Sequence, residues 1–439
     1  MKQKMIISIL PFVQILIITS LSACQKDLEF PDLNKNNDTI PMSGSGTHFY
    51  KEFPVEMKET DSWRVTDPNS TYSGNSSENP YKYLPNPEIE IPDVVVANAF
   101  RAEAIIDRWG GHTGTSGHQM RFNNNDWISI PIRLEGTHKN PEWYNYQDNP
   151  LVTVPLSNLK NGMNMLEGTS GPQTKYANTW GQWGWYSLIL RVYYPYTTDL
   201  TARFGNVSDG GSLTANPQFS IEVNHPDEVE KISIRGIYRG PDENGDGKYD
   251  DLHGMYHYTG LQGIIGVANQ HPFQVTWDTE WIPDQSGDIS VIAYVKLKNG
   301  YSFAADRVSG LNLRRTGNSV KMYTAESVPE KFWVRNNRKC YCFFTIPESE
   351  PLGKAIEARM FIRTWNGNNN EKNGTPFRIN DNSWMKVGGA NHNFDFRMVE
   401  IPVEHLQHGL NRITFTSSTI HHGCEILWPG PTILVKYGK

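Results

Sequence analysis

Cysteine is scarce in this chain, with 4 residues in 439, at positions 24, 340, 342 and 424. That excludes a small scaffold built on disulfides. Positive charge is also short: 41 Lys and Arg stand against 47 Asp and Glu, for a formal net charge of −6. No basic run or stripe breaks that balance, so nucleic acid is not an expected partner. No segment sustains a 3.6-residue apolar period, which argues against helical bundles. Gly-x-Ser-x-Gly, phosphate-cradling glycine loops and His-Glu-x-x-His are all missing, and with them the usual nucleophile elbow, nucleotide cradle and zinc-protease helix.

Aromatic residues, by contrast, reach 12%, with 20 Tyr, 18 Phe and 13 Trp, and turn formers abound at 37 Gly and 27 Pro. Aromatic and β-branched runs separated by Gly, Asn, Pro and Asp clusters predict an all-β chain. Its length predicts about three domains at roughly 150 residues each.

The first residues read as a leader. Lys2 and Lys4 precede an apolar run from Met5 to Ser20, interrupted by Pro11 and Gln14 and ending in Leu21-Ser22-Ala23-Cys24. The run is too short and too interrupted for a spanning helix. It resembles a lipobox, which implies cleavage before Cys24, acylation of that residue and anchoring by a lipid alone. Gln25-Lys26-Asp27-Leu28-Glu29 resembles the signal that sends lipoproteins of Bacteroidetes to the outer face of the outer membrane. Residues 25–46 are polar and read as a flexible tether. Within them Asp38-Thr39-Ile40 resembles a short O-glycosylation motif of exported proteins from such bacteria.

The most informative feature is a repeat. A strand, Trp109 and a glycine-rich loop lead to Arg121-Phe-Asn123-Asn-Asn125-Asp-Trp127; a strand, Trp365 and an Asn/Gly-rich loop lead to Arg378-Ile-Asn380-Asp-Asn382-Ser-Trp384. Further on, Pro155…Leu159…Gly162-Met-Asn164 matches Pro402…Leu406…Gly409-Leu-Asn411, and each copy closes on an apolar strand. The unit is too long for a solenoid, so a domain is duplicated. Pro155 to Leu159 and Pro402 to Leu406 read as single helical turns that set a leucine into the core, with Gly-x-Asn reversing the chain. This pattern resembles the jelly rolls of carbohydrate-binding modules and the paired jelly rolls of peptide-N-glycanase-like enzymes. Between the copies, Phe273-Gln-Val-Thr-Trp277 and the alternation from Ile289 to Leu297 predict an immunoglobulin-like sandwich with Trp277 in its core. The expected order is therefore jelly roll 47–205, immunoglobulin-like sandwich 212–326, jelly roll 327–439. Cys340 and Cys342 fall on one face of a strand. Either Cys424 pairs with one of them or all three are buried.

Four places carry chemistry. Asp242-Glu-Asn244-Gly-Asp246-Gly247-Lys248-Tyr-Asp250-Asp251 resembles the start of an EF-hand loop, with Asp242, Asn244, Asp246, Asp250, Asp251 and the Lys248 carbonyl as expected donors to a structural calcium ion. It departs where His253 stands in place of the closing Glu, and an unmetallated acidic turn is the alternative. The loop Trp109-Gly-Gly-His112…His118…Arg121 offers donors and backbone access to a ligand, although Arg121 and Arg378 also fit matched bonds within their own domains. Trp183 and Trp185, extended by Trp143, form a prospective stacking platform for sugar rings, or else pack in the core. His421, His422 and Glu135-Gly-Thr-His138 lack ligand spacing. Together these features predict a cell-surface protein that binds a polysaccharide without catalysis. The alternatives are a glycan hydrolase using Glu135, Glu142 or Asp148 in an interdomain cleft, and an adhesion protein with an apolar patch.

Overall fold

The computed structural model describes residues 48–56, 63–72, 79–131, 144–173, 180–195, 199–254, 256–257, 260–261, 263–366, 375–387, 393–420 and 423–439. Among them there are strands and short 3-10 turns, no α-helix, and no helix long and apolar enough to cross a membrane. The leader, Cys24 and the tether lie outside the described residues.

The two copies share one topology. In the first, the large sheet runs Phe49–Glu56, Gln182–Tyr194, Arg101–Trp109, Leu151–Val154, and the small sheet runs Glu88–Val94, Gly162–Thr169, Gln119–Phe122, Ile128–Ser129. In the second, Asn318–Thr324, Thr432–Gly438, Ala355–Asn366 and Asn393–Ile401 form the large sheet, and Lys339–Ile346, Gly409–Thr416, Thr375–Ile379 and Met385–Val387 form the small one. All pairs in both are antiparallel. Period-two alternation sends one face of each strand inward: in Glu88–Val94, Ile89 and Ile91 are buried while Glu88 and Glu90 are exposed.

The repeated polar residues hold matching corners. Asn123 donates to the Asn158 carbonyl at 2.9 Å and to Asn164 at 2.7 Å, and accepts the Met165 amide at 3.1 Å. Asn380 donates to the His405 carbonyl at 3.0 Å and to Asn411 at 3.0 Å, and accepts the Arg412 amide at 3.0 Å. Asn164 and Asn411, both fully buried, clamp the reversal by bonding the backbone of Lys160 and Gly162, or of Gln407 and Gly409. Gly162 and Gly409 sit at φ +86 and +74, where a side chain is strained. The expected helical turns are 3-10 turns, Leu156–Asn158 and Val403–His405, and Leu159 and Leu406 are buried beside them.

Between the copies Val229–Arg239 pairs with Gln285–Leu297, which also pairs with Val308–Leu313, and Ala202–Phe204, Gln218–Val223 and Phe273–Thr276 form a second layer. Trp277 is 3% exposed between Phe219 and Tyr238, as expected of this core. Pairing moves two margins relative to the sequence reading. Ala202–Phe204 belongs with the central sandwich, and Asn318–Thr324, which the sequence put before the boundary at 327, pairs along its length with the last strand.

The three sandwiches are packed together. A Tyr50–Ser302 bridge joins the first sandwich's large sheet to the central one, and their cores form one apolar cluster. Tyr186 of the first copy packs with Phe394 and Leu427 of the second, flanked by Trp109 and Trp365. Trp281 of the central sandwich packs on Val320 and Leu434. Tyr144 of the first copy is buried in the second copy's core, edge-on to Trp428, and donates to the Pro329 carbonyl. Cys342 and Cys424 are buried and Cys340 half-buried, and no disulfide joins these three.

Asn411 is fully buried, and Asn411→Ala should strand the Gln407 amide and carbonyl that it bonds and lower stability by about 1–3 kcal/mol. Asn164→Ala should cost a similar amount, and the two midpoints of urea unfolding check the equivalence.

Candidate functional site

Two prospective platform residues are core residues. Trp183 is fully buried, donates to the Thr169 carbonyl at 2.9 Å and stacks on His118 at 4.9 Å; Trp185 is 1% exposed and edge-on to Trp183 at 5.0 Å. Strand alternation puts both on one face, as expected, but that face looks into the sandwich. The platform reading of Trp183 and Trp185 is therefore corrected to core packing. Trp143, its proposed extension, lies outside the described residues, as do Glu135, His138, Glu142, His421 and His422.

The glycine-rich loop likewise serves the fold. A Cβ on Gly111 would sit 1.7 Å from the Gln182 carbonyl oxygen, and one on Gly110 would meet the Tyr146 ring at 2.5 Å. The glycines thus admit backbone and an aromatic ring of this same chain in place of a ligand. His112 is half-buried, edge-on to Trp180 at 4.7 Å. Trp109 is half-buried in the contact between the two copies.

His118 and Asp148 belong to a buried cluster around Arg108. The Arg108 guanidinium, fully buried, makes paired bonds to Asp148 at 2.9 and 2.7 Å, donates to the Pro131 carbonyl at 2.7 Å and lies 3.3 Å from Nδ1 of His118. Burial first, and Arg108 second, hold His118 well below the usual imidazole range, so it is neutral. Asp148 is committed to this arginine, which leaves it poorly suited to the hydrolytic role weighed for it.

The acidic loop closes on its own amides. Asp242 accepts the Gly245 amide at 2.5 Å and the Gly247 amide at 2.7 Å, Asn244 accepts the Asp246 amide at 3.0 Å, and Asp246 accepts the Lys248 amide at 2.8 Å. Asn244 donates to Asp251 at 3.1 Å, Asp251 also accepts the Leu252 amide, and Asp250 is exposed. Burial, with Asp246 nearby, raises the Asp251 carboxyl above its usual range. Among the described residues no group of three or more His, Cys, Asp or Glu side chains is arranged to hold a metal ion. The loop abuts the second copy, where a Cβ on Gly247 would meet Trp428 at 3.3 Å.

One interdomain carboxyl stands out. Glu425, paired with Trp333 and Trp365 in the sheet, accepts the Asn145 amide of the first copy. Burial outweighs both that amide and Lys331 and pushes its carboxyl up to about 7.

Among the exposed aromatic residues of the described chain is a matched pair of Arg–Trp units. Trp127 is 38% exposed and Trp384 43%. The Arg121 guanidinium lies 4.5 Å from the Trp127 ring centre and is bonded to Glu167 at 2.7 and 2.9 Å; Arg378 lies 5.0 Å from the Trp384 ring and pairs with Asp381 at 3.1 Å. The expected intradomain bonds of the two arginines are thus present. Each tryptophan follows the Asn corner on the outer side of its small sheet. The sequence shows both as part of the repeat, but their exposure follows only from where the corner places them.

No family model matches the chain, and no curated protein does. Among solved structures it is similar to a β-porphyranase of glycoside hydrolase family 86 from the human gut bacterium Bacteroides plebeius, at 15% identity and TM-score 0.21, over 56% of this chain and 38% of that one. It is also similar to the fibronectin(III)-like modules of Clostridium thermocellum CbhA, at 12% identity and TM-score 0.18, over 51% of this chain and 98% of that one. A third is the Bacteroides ovatus SGBP-B of a mixed-linkage glucan utilization locus, in complex with a mixed-linkage heptasaccharide, at 9% identity and TM-score 0.14, over 79% and 70%. Scores this low fall far short of a shared overall arrangement.

Removing one partner of a buried ion pair leaves the other uncompensated, so Asp148→Ala should cost about 3–5 kcal/mol, read as a large drop in unfolding midpoint. The raised Glu425 carboxyl favours the neutral form in the folded state. Its contribution is present near pH 4.5 and lost as pH rises through about 7. Glu425→Gln should therefore gain stability relative to the parent at pH 8 and show little difference at pH 5, checked by thermal melts at both values.

Proposed function

We propose that this protein is a non-catalytic glycan binder displayed at a cell surface, held there by a lipid on Cys24. The observation that carries the reading is the pair of half-exposed tryptophans, Trp127 and Trp384, each backed by an arginine at the same place in two copies of one sandwich. A large indole left in water contributes nothing to a core, and its flat apolar face fits the faces of sugar rings. The arginine fixes the plane of the ring and offers spare donors to hydroxyls. Two such units on one polymer raise effective concentration, so weak single contacts sum to useful retention. Asp148 is tied to Arg108, which supports binding over hydrolysis among the described carboxylates weighed for that role.

Affinity gel electrophoresis against plant, algal and host polysaccharides tests this reading. Selective retardation by a polymer is expected. Trp127→Ala or Trp384→Ala should each weaken it several-fold, about 1 kcal/mol, and the double variant should abolish it while the melting point is kept. Unchanged retention in the double variant would remove the two tryptophans from the site. Steady release of reducing ends at catalytic protein ratios would replace the binder by an enzyme.

A further inference from the structure

The two copies keep the same Arg–Trp unit but surround it with opposite chemistry. Antiparallel partners share a sheet face, so the pairing register compares the two outer faces position by position. In the first copy Glu88 stands opposite Glu167, and Glu167 opposite Arg121. The same row of the second copy reads Tyr341, Thr414, Arg378. In the next row Glu90 opposite Met165 is replaced by Phe343 opposite Arg412. At the far edge Ser129 opposite Gln119 is replaced by Lys386 opposite Pro376. Lys339, opposite Thr416, completes the second face, and its ammonium lies 5.9 Å from the Trp384 ring centre.

The first face is thus carboxylate-rich and the second aromatic and cationic. On the second, Tyr341 is 52% exposed and edge-on to Phe343 at 5.5 Å, beside Trp384 at 43%. Lys339 and Lys386 are exposed; Arg378 and Arg412 are partly so. The carboxylates nearby are Asp381, itself 81% exposed and shared by Arg378 at 3.1 Å and Arg412 at 2.8 Å, and Glu326, which accepts from Thr345 at the sheet edge at 3.3 Å. An exposed pair of this kind contributes little by itself, so an incoming anion can take the place of Asp381 on both guanidiniums. Planar guanidiniums donate paired hydrogen bonds to carboxylate or sulfate, while the aromatic rings take the sugar faces.

Resting on the glycan-binding reading, we propose that the outer face of the second sandwich's small sheet is the docking site for an acidic polysaccharide, one bearing carboxylates or sulfates along its length. On the first copy's matching face Glu88, Glu90 and Glu167 stand at those positions, so contact there runs through Trp127 and the uncharged sugar faces of the chain and not through its anionic groups. The chain as a whole carries a formal net charge of −6, so retention of a polyanion has to come from this local face and not from bulk attraction.

The test uses the whole protein in affinity gels with polygalacturonate, its fully methyl-esterified form, a sulfated galactan and the same galactan desulfated. Retardation by at least one anionic polymer, stronger than by its neutralised partner and weakened by added salt, is expected. Polygalacturonate alone would assign the face to uronates, and the sulfated galactan alone to sulfate esters. Lys339→Gln/Lys386→Gln should cut retention on the anionic polymer at least tenfold with an unchanged melting point; both side chains are exposed, so folding is not at stake. Arg412→Lys, which keeps charge but loses the paired geometry, should give an intermediate loss. Retardation by neutral polymers equal to that by their charged forms, or an unaffected lysine double variant, would overturn the proposal while leaving the glycan-binding reading intact. Absence of retardation by any polymer, charged or neutral, would overturn both.

Discussion

The central strand of each copy's large sheet is buried on both sides, and the whole arrangement depends on covering the second side. In Gln182–Tyr194 almost every side chain is buried, whichever face it takes. The outward face of the first copy carries Tyr186, Ile189, Arg191 and Tyr193, and that of the second carries Leu427 and Leu434; these cannot be left in water without cost. The central sandwich and the facing copy supply the cover through Trp281, Phe394 and Leu427. Charges caught in these contacts are paired: Arg191 with Glu52 and Glu103, Lys436 with Glu280 and Glu357. Once the large sheets are used up in this way, the outer sides of the small sheets are left to solvent, and that is where the exposed tryptophans stand.

Much of the fold was legible because its determinants are local. Asn123 and Asn164 act within a turn or across one strand pair, so their spacing survives duplication and can be read as text. The leucine turns and the core role of Trp277 follow for the same reason. What could not be read is which side of a strand another domain covers. Trp183 and Trp185 share a face by parity alone, and parity does not say whether that face looks at water or at His118. Arg108 in the core was equally hidden, since Asp148, the residue that makes its burial tolerable, is 40 positions away. The domain margins slipped because Ala202–Phe204 and Asn318–Thr324 were assigned to the sandwich they follow in the chain yet take partners in the next one.

The candidate site was only half visible. Arg121 was named as a ligand residue and Trp127 was noticed as part of a repeat, but composition gives no reason to prefer Trp127 over Trp183. Surface position decides between them. The glycine-rich loop shows the same ambiguity: glycine permits close approach, and the sequence does not say by what. Here the approaching groups are the Gln182 carbonyl and the Tyr146 ring.

Tyr144 makes one copy part of the other's interior. A side chain of the first copy now fills part of the second copy's interior and holds the Pro329 carbonyl. The two copies are thereby interlocked as one structural unit. Excising either would leave a hole in one and an orphaned aromatic on the other, so neither sandwich is closed without its twin.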